Sequence, residues 1–289
     1  MQITVLGIGL MGYPMAQRLC AAGHAVHVWN RTQTKAAPLA NEGATVHTDP
    51  RQAVQAADVV ITMLEDGAVV EDVLFAQGVA AAMPAGSLLV DMSSIQPAQA
   101  RDHAQRLATL HISYLDVPVS GGTLGAEQGN LAIMVGGNAA DLERAMPVLS
   151  VLGRPTLVGP HGTGPLAKLA NQMIVGITIG AVAEALLLCE RGGADPAKVK
   201  QAITGGFADS RILQVHGQRM IERDFAPKGR MSVQLKDLRN ALQTAEEIGL
   251  NAPVTALLEQ LYAQAIEHGL RDLDQSALFK ELARRNGMA

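Results

Sequence analysis

Three polar residues stand close together near the start of a long apolar stretch and could meet around one small molecule. Lys168, Asn171 and Gln172 occur at i, i+3 and i+4, so on a helix they share one face. The stretch from Met173 to Ala183 carries no charge, which predicts that most of this helix is buried against protein on several sides. Because burial makes a lysine costly unless it is used, Lys168 is the first candidate for chemistry. A solvated lysine at a helix start is the alternative.

The element that must position these residues is predicted as one helix from Gly164 to Arg191. A membrane span needs about 20 predominantly apolar residues, whereas Lys168, Asn171, Gln172 and Glu184 interrupt this run. We therefore expect a core helix that joins two domains.

The first thirty residues predict a dinucleotide site. A G-x-G-x-x-G pattern follows a predicted strand, Gln2 to Leu6, and opens a helix from about Met11, and a second strand runs from His24 to Trp29. This strand, turn and helix context is the Rossmann fingerprint, in which phosphates lie at the helix N-terminus. The alternative is a glycine turn without a ligand. The candidate cofactor-binding residues of the loop are Gly7, Gly9, Leu10, Met11 and Gly12.

The end of the second strand indicates which dinucleotide binds. An NAD site normally has Asp or Glu there for the ribose 2′-hydroxyl, but this chain has Asn30, Arg31 and Thr32, with Lys35 four residues after Arg31. A guanidinium beside a hydroxyl and an ammonium suits a 2′-phosphate, which favours NADP, with NAD as the second choice. Alternatively, Arg31 and Lys35 are merely solvated.

Short apolar strands and helices continue to alternate, which predicts a doubly wound parallel sheet. The further strands are predicted at Thr45 to His47, Asp58 to Met63, Ser87 to Asp91, Ser113 to Val117 and Pro155 to Val158. Ligands lie off the carboxyl ends of such strands, so Met63, Leu64, Ser93 and Ser94 should border the cofactor. One of the serines could equally be an ordinary residue at a helix entry.

A glycine-rich loop then follows a strand. Ser120, Gly121 and Gly122 offer a hydroxyl and unhindered N–H groups in a row, which can hold a carboxylate. A tight turn is the alternative. The chain divides into a dinucleotide-binding domain, residues 1–162, and a helical domain for substrate binding and oligomerisation, residues 163–289.

The second domain is predicted to be entirely helical. Its helices after the long one are expected at Pro196 to Thr204, Ile212 to Arg223, Val233 to Ile248, Val254 to His268 and Ser276 to Arg285. Lys236 and Asp237 are adjacent one turn into a helix, so we expect them to point in different directions rather than to pair with each other.

Composition excludes several classes of protein. The chain has 289 residues, a net charge of -4 and no clustered basic stripe, so neither nucleic acid nor a membrane is an expected partner. Cys20 and Cys189 lie in apolar helical patterns and predict buried thiols rather than a disulfide or a metal site. With no secretion signal at the N-terminus, a reducing, cytoplasmic setting is expected. Helices as apolar as Val182 to Cys189 predict a homodimer or homotetramer.

Four motifs in order resemble the β-hydroxyacid dehydrogenase family over essentially the full length. They are GIGLMGYPM at residues 7–15, DVPVSGG at residues 116–122, the Lys168-x-x-Asn171 helix and Lys236-Asp237. The resemblance implies a Rossmann domain, a long interdomain helix, an all-α second domain and interconversion of a small hydroxy acid and its semialdehyde by a nicotinamide.

The same resemblance implies roles for individual residues. Lys168 would be the acid or base, Asn171 would orient the substrate, Ser120 to Gly122 would bind its carboxylate, and Lys236 would border nicotinamide and substrate, with Gln172 beside them. KLANQ at residues 168–172 and KDLRNAL at residues 236–242 are most similar to the tartronate semialdehyde reductases, which form D-glycerate.

Alternative functions remain open at this point. Similar sites serve 3-hydroxyisobutyrate and 4-hydroxybutyrate, whose dehydrogenases belong to the same family. Imine reductases share the fold but lack the lysine at position 168. A non-catalytic dinucleotide-binding module is the competing class, and the joint presence of Lys168, Asn171 and Ser120 argues against it.

Overall fold

The computed structural model describes residues Met1 to Met288 and separates into two compact units. The first unit, Met1–Lys168, is an α/β unit, and the second, from Leu169 onward, is helical. The division at residue 162 stays a prediction about where the functional domains separate.

In the described residues, nine strands form one sheet in the order β3-β2-β1-β4-β5-β6-β8-β7, with β9 beside β8. The strands are β1 Gln2–Leu6, β2 Ala25–Trp29, β3 Thr45–His47, β4 Val59–Thr62, β5 Leu88–Asp91, β6 Ser113–Asp116, β7 Val119–Ser120, β8 Leu131–Gly136 and β9 Gly153–Gly159. Every pairing from β3 through β6 is parallel, as predicted for a doubly wound sheet.

The far end of the sheet differs from the prediction of parallel strands. β8 runs antiparallel to both β6 and β7, while β9 is parallel to β8. The connection between β7 and β8, residues 121–130, is shorter than the dozen or more residues that a parallel crossover needs. The chain therefore turns back on itself at the glycine-rich loop.

Helices cover both faces of the sheet, which buries the continuous apolar strands. The first unit contains α1 Gly12–Ala21, α2 Gln33–Ala36, α3 Pro50–Val54, α4 Gly67–Glu71, α5 Val79–Ala82, α6 Pro97–Ala108, α7 Gly122–Gln128 and α8 Ala139–Leu152, with a 3-10 turn at Ala37–Glu42 and a π turn at Asp72–Ala76. Leu19 of α1 and Leu149 of α8 pack in the core on one face. Val54 of α3 and Leu107 of α6 pack in the core on the other.

The second unit confirms the prediction of an all-helical domain. Its helices are α9 Thr163–Arg191, which begins in the first unit, α10 Pro196–Ile203, α11 Gln218–Glu222, α12 Met231–Glu247, α13 Pro253–Ala265 and α14 Leu278–Arg285, with π turns at Leu213–Gly217 and Ile266–Leu270 and a 3-10 turn at Gln275–Ala277. The helix predicted at 212–223 contains the first of these π turns, and the helix predicted at 254–268 ends within the second. Tyr262, which is fully buried, lies in the core of this unit.

The long helix α9 is less buried than its sequence suggested. Within the described residues it alone is long and apolar enough to cross a membrane, and 39% of its most apolar window is buried. Ile179, Ala183 and Leu186 pack in the core of the helical unit, as expected for a soluble protein. Ile174 and Leu188, however, are 67% and 75% exposed, so burial on several sides was wrong for the single chain.

Candidate active site

The glycine loop after β1 has the shape of a phosphate cradle. Gly7 has a φ of +106°, a backbone conformation that favours glycine. A Cβ on Gly12 would overlap the carbonyl oxygen of Gly7, so the first turn of α1 can approach the loop only without a side chain. Among the described residues, no atom outside Gly9 and its chain neighbours lies within 4 Å of the position of a Cβ on Gly9, which leaves open space beside the backbone there. Each glycine of the predicted pattern therefore lies in a different steric environment.

The start of α1 suits an anionic ligand. In the described structure, Met11 at its N-cap makes no side-chain hydrogen bond, and the first turn contains no acidic residue. The positive end of the helix dipole thus meets no acidic side chain of its own first turn and can attract a pyrophosphate. The residues present fit a bound dinucleotide, and Gly7, Gly9 and Gly12 would hold it.

Asn30 braces the glycine loop from the end of β2. Its Oδ1 accepts a hydrogen bond of 2.9 Å from the backbone N–H of Ile8, and its Nδ2 donates one of 2.8 Å to the carbonyl of Thr32. Arg31, Thr32 and Lys35 follow with exposed side chains. A neutral amide therefore shapes the turn where an NAD site would carry a carboxylate, and the cationic groups beside it are accessible.

A buried carboxylate ties together the loops that follow β4 and β5. Asp91 Oδ1 accepts hydrogen bonds from Thr62 Oγ1, at 2.8 Å, and from the Ser93 N–H, at 3.0 Å. Ser93 Oγ in turn accepts a bond of 3.0 Å from the N–H of Leu64. Burial raises the pKa of Asp91, and the hydrogen bonds from Ser93 and Thr62 oppose that rise.

This network separates the two candidate serines. Ser93 is 1% exposed and its hydroxyl is used within the protein, whereas Ser94 is half-buried. Met63 and Leu64 are likewise half-buried at the end of β4. Ser93 thus shapes the loop, and Ser94, Met63 and Leu64 remain the residues with surface to offer a cofactor.

The Ser120-Gly121-Gly122 loop exposes backbone at the end of β7. Gly121 and Gly122 are exposed and have φ of +141° and +64°, a left-handed path that points successive N–H groups differently from an ordinary strand. In the part of the chain that the structure describes, no atom beyond the nearby backbone of α7 and the two chain neighbours lies within 4 Å of a Cβ placed on Gly122. Ser120, which is half-buried, starts this open segment.

Lys168 lies in the second turn of α9, which begins at Thr163. Its side chain and those of Asn171 and Gln172 are all half-buried, and the continuous helix gives them the predicted i, i+3 and i+4 spacing. The prediction that one helix carries these three residues is confirmed.

Gln172 is held by a network inside the helical unit. Its Nε2 donates to Asp237 Oδ2, at 2.9 Å, and to Gln234 Oε1, at 3.0 Å. Because a carboxylate only accepts, Asp237 fixes which end of the Gln172 amide faces it. Gln172 Oε1 then accepts a bond of 2.8 Å from Asn171 Nδ2. The orientation of the Asn171 amide is therefore set by a carboxylate on α12.

Lys236 and Asp237 interact, contrary to the sequence expectation. Lys236 Nζ lies 3.5 Å from Asp237 Oδ1, because the flexible lysine chain reaches the neighbouring carboxylate although the two Cβ atoms diverge. Lys236 also lines a cavity of about 440 Å³ in the helical unit, together with Arg239, Arg271 and Glu267. Two of the three cationic groups already have carboxylate partners, Lys236 with Asp237 and Arg239 with Glu259.

Comparisons with known proteins identify the family of this chain. Residues 2–162 match the NAD binding domain of 6-phosphogluconate dehydrogenase, and residues 162–282 match the NAD-binding domain of NADP-dependent 3-hydroxyisobutyrate dehydrogenase. The 2-hydroxy-3-oxopropionate reductase of Escherichia coli is 45% identical over 98% of this chain and 97% of its own length. The chain belongs to the β-hydroxyacid dehydrogenase family.

Two further relatives support this membership. The 2-(hydroxymethyl)glutarate dehydrogenase of Eubacterium barkeri is 34% identical over 100% of this chain and 97% of its own. A solved structure of 3-hydroxyisobutyrate dehydrogenase from Mycobacterium tuberculosis, with L-serine, has a TM-score of 0.88 and 34% identity, covering 97% of this chain and 98% of that one. This β-hydroxyacid dehydrogenase is accordingly an oxidoreductase that uses a nicotinamide dinucleotide and a small carboxylate substrate.

Sequence reasoning missed two buried residues of this β-hydroxyacid dehydrogenase that orient candidate site residues through hydrogen bonds. Asp91 and Gln234 are each 1% exposed, and each hydrogen-bonds a candidate site residue. Asp91 could have been noticed because it is a carboxylate at the carboxyl end of a buried strand. Such a carboxylate must find hydrogen-bond donors inside the protein. Gln234 had no such signal, because a polar residue one turn into a helix is usually solvated.

Proposed function

We propose that this enzyme reduces tartronate semialdehyde to D-glycerate with NADPH. One observation carries the proposal: a single helix presents Lys168 and Asn171 at i and i+3 in a chain that also has a dinucleotide loop. The 45% identity to a 2-hydroxy-3-oxopropionate reductase supports the choice of substrate within the family.

In this proposal the substrate is gripped by its carboxylate and oriented by its carbonyl. The hydroxyl of Ser120 and the N–H groups of Gly121 and Gly122 bind the carboxylate, since this exposed turn concentrates donors. Asn171 holds the carbonyl or hydroxyl in line, with its amide fixed through Gln172. Lys236 adds a positive charge beside the nicotinamide and the substrate.

A nicotinamide dinucleotide held at Gly7, Gly9 and Gly12 would supply a hydride to the carbonyl carbon. Lys168 then acts as the general acid: its ammonium stabilises the negative charge that grows on the carbonyl oxygen and donates a proton to it. The carbonyl group thereby gains a hydride on carbon and a proton on oxygen and becomes the CH–OH group of the product. In the oxidative direction the neutral lysine takes the same proton back.

NADP preference rests on the residues after β2. Arg31 and Lys35 are exposed, Thr32 lies beside them, and no carboxylate stands at Asn30 to repel a 2′-phosphate or to bind a free 2′-hydroxyl. Arg31 can form a bidentate pair with that phosphate. Leu10, Met11, Met63, Leu64 and Ser94 would line the rest of the cofactor site.

We also infer a homodimer or homotetramer in a reducing, cytoplasmic setting. The exposed apolar side chains of α9 support oligomerisation, because large apolar groups on one helix face favour a partner surface. Cys20 and Cys189 are both free and half-buried, which suits a reducing compartment.

The test is NADPH oxidation with a panel of three aldehydes: tartronate semialdehyde, methylmalonate semialdehyde and succinic semialdehyde. The proposal expects the highest kcat/KM with tartronate semialdehyde. A higher value with methylmalonate or succinic semialdehyde would move the assignment to 3-hydroxyisobutyrate or 4-hydroxybutyrate chemistry. A silent panel with NADPH bound would favour a non-catalytic binding module.

A further inference from the structure

A buried carboxylate lies where the glycine-rich loop and the helix of Lys168 both begin. Asp116 ends β6, directly before the segment that leads to Ser120, and its side chain is 1% exposed. Its Oδ2 accepts a hydrogen bond of 2.8 Å from the N–H of Gly162, and its Oδ1 accepts one of 2.9 Å from the N–H of Gly164. Asp116 therefore caps the start of α9 from a distant strand.

The neighbouring glycines leave room for this carboxylate and for little else. A Cβ on Gly164 would lie 2.6 Å from Asp116 Oδ1. A Cβ on Gly136, the partner of Asp116 across β6 and β8, would overlap the same oxygen. The carboxylate is thus enclosed by backbone on two sides, and its position is fixed by packing as well as by hydrogen bonds.

The hydrogen bonds of Asp116 are made to the backbone at the start of α9. The imidazole Nδ1 of His161 lies 3.7 Å from Oδ2, beyond hydrogen-bond distance, whereas both backbone N–H groups are within 3 Å. A carboxylate at a helix N-terminus also interacts favourably with the helix dipole. The first turn of α9 is therefore anchored to the end of β6.

We propose that Asp116 is a positioning residue for the reaction. By holding the first turn of α9, it fixes where the second turn places Lys168 relative to the loop that starts after β6. This inference rests on the proposed function, in which Lys168 is the general acid and Ser120 to Gly122 bind the substrate. Loss of the cap would let the helix start fray, which misplaces the acid without removing it.

The first test compares Asp116→Ala and Asp116→Asn with the wild type. Asp116→Ala should lower kcat by about 10-fold to 100-fold, the scale of a small misplacement of a catalytic group. Asp116→Asn keeps one acceptor oxygen and should lose less, while KM for NADPH stays within about twofold for both. The matched control is Asp195→Ala, which removes a carboxylate that accepts from Ala197 and Lys198 at the start of α10. Its kcat should not change.

A double-mutant cycle tests whether Asp116 acts through Lys168. In a Lys168→Met background, Asp116→Asn should have less than about a twofold effect on the residual kcat, because the group that it positions is gone. An undiminished effect of Asp116→Asn in that background would overturn the proposal.

Hydrogen exchange supplies a readout that does not depend on activity. The backbone amides of residues 162–164 and 166–168, on either side of Pro165, should exchange faster in both Asp116 variants, but not in Asp195→Ala. Unchanged exchange would overturn the capping role, and faster exchange with unchanged kcat would overturn the positioning role. If Asp116→Ala does not fold, every measurement is made on Asp116→Asn instead. Wild-type kcat in Lys168→Met would instead defeat the assignment of the general acid, while the exchange result would still report on the cap.

Discussion

Lys168 is the residue on which the proposed chemistry depends. Lys168→Met keeps the length and apolar stem of the side chain, so the fold and NADPH binding should survive. Loss of the proton donor should lower kcat by about 10²-fold to 10⁴-fold, and arginine should not rescue it, because arginine holds its proton too tightly. Steady-state kinetics at saturating substrate measure this effect, with Lys280→Met, an exposed lysine on α14, as the control. Near-wild-type kcat would make Lys236 the next candidate acid.

Arg31 is the residue that should distinguish the two cofactors. Arg31→Ala should weaken NADPH binding by roughly 1.5 to 3 kcal/mol, the scale of a hydrogen bond to a charged group, and leave NADH binding nearly unchanged. Titration calorimetry with both cofactors checks this prediction. Arg154→Ala, which removes an exposed arginine from β9 of the same unit, should affect neither. An equal loss for both cofactors would mean that Arg31 does not contact the 2′-phosphate.

At the scale of elements, the C-terminal helix α14 is tied to the preceding π turn by one buried carboxylate. Glu281 Oε2 accepts a bond of 2.8 Å from His268 Nδ1, and Glu281 Oε1 accepts one of 2.8 Å from Arg284 Nη2. The hydrogen bond from Arg284 is the largest cause that lowers the pKa of Glu281 from 4.5 to about 2. This carboxylate therefore stabilises the fold when it is ionised.

The sign of its pH dependence follows from the lowered pKa. A depressed carboxyl pKa contributes stability above the unfolded value, and that contribution is lost as the pH falls from about 4.5 toward about 2. Glu281→Gln should therefore lower Tm at neutral pH, and its gap from the wild type should shrink across that acidic window. Thermal unfolding followed by circular dichroism measures this gap. Glu246→Gln, an exposed carboxylate on α12, is the control. A gap that stays constant down to the lowest pH would contradict the prediction.

At the scale of the whole molecule, the exposed face of α9 predicts association. Ile174, Ala181, Ala185 and Leu188 are all exposed and recur at helical spacing, and Leu188 is 75% exposed. Sedimentation at micromolar concentration should give a mass at least twice the 30.3 kDa of one chain. Leu188→Glu should shift the population toward monomer, because it places a charge on that apolar stripe.

The matched control for association is Leu110→Glu, which changes an exposed leucine on the turn after α6. It should leave the mass unchanged. If the wild type sediments as a monomer, oligomerisation does not explain the apolar surface of α9 and the prediction is wrong.

The sequence alone determined the elements and the shared faces. The positions of β1 to β6 and of β9, the glycine loop between β1 and α1, and the helix that carries Lys168 and Asn171 all follow from local periodicity and from residues with special backbone conformations. These signals need only neighbours in the chain, so they can be interpreted without knowing the fold. The motif order was sufficient to indicate the family, which the comparisons confirmed.

Only the tertiary structure decided how the candidate site residues are oriented. Asp116 reaches Gly164 across 48 residues, and Gln172 reaches Asp237 across 65. It also decided that β8 turns antiparallel and that much of α9 stays exposed in the single chain. Hydrogen bonds of this kind depend on which distant groups packing brings within 3 Å, and neither spacing nor hydrophobic period encodes that distance.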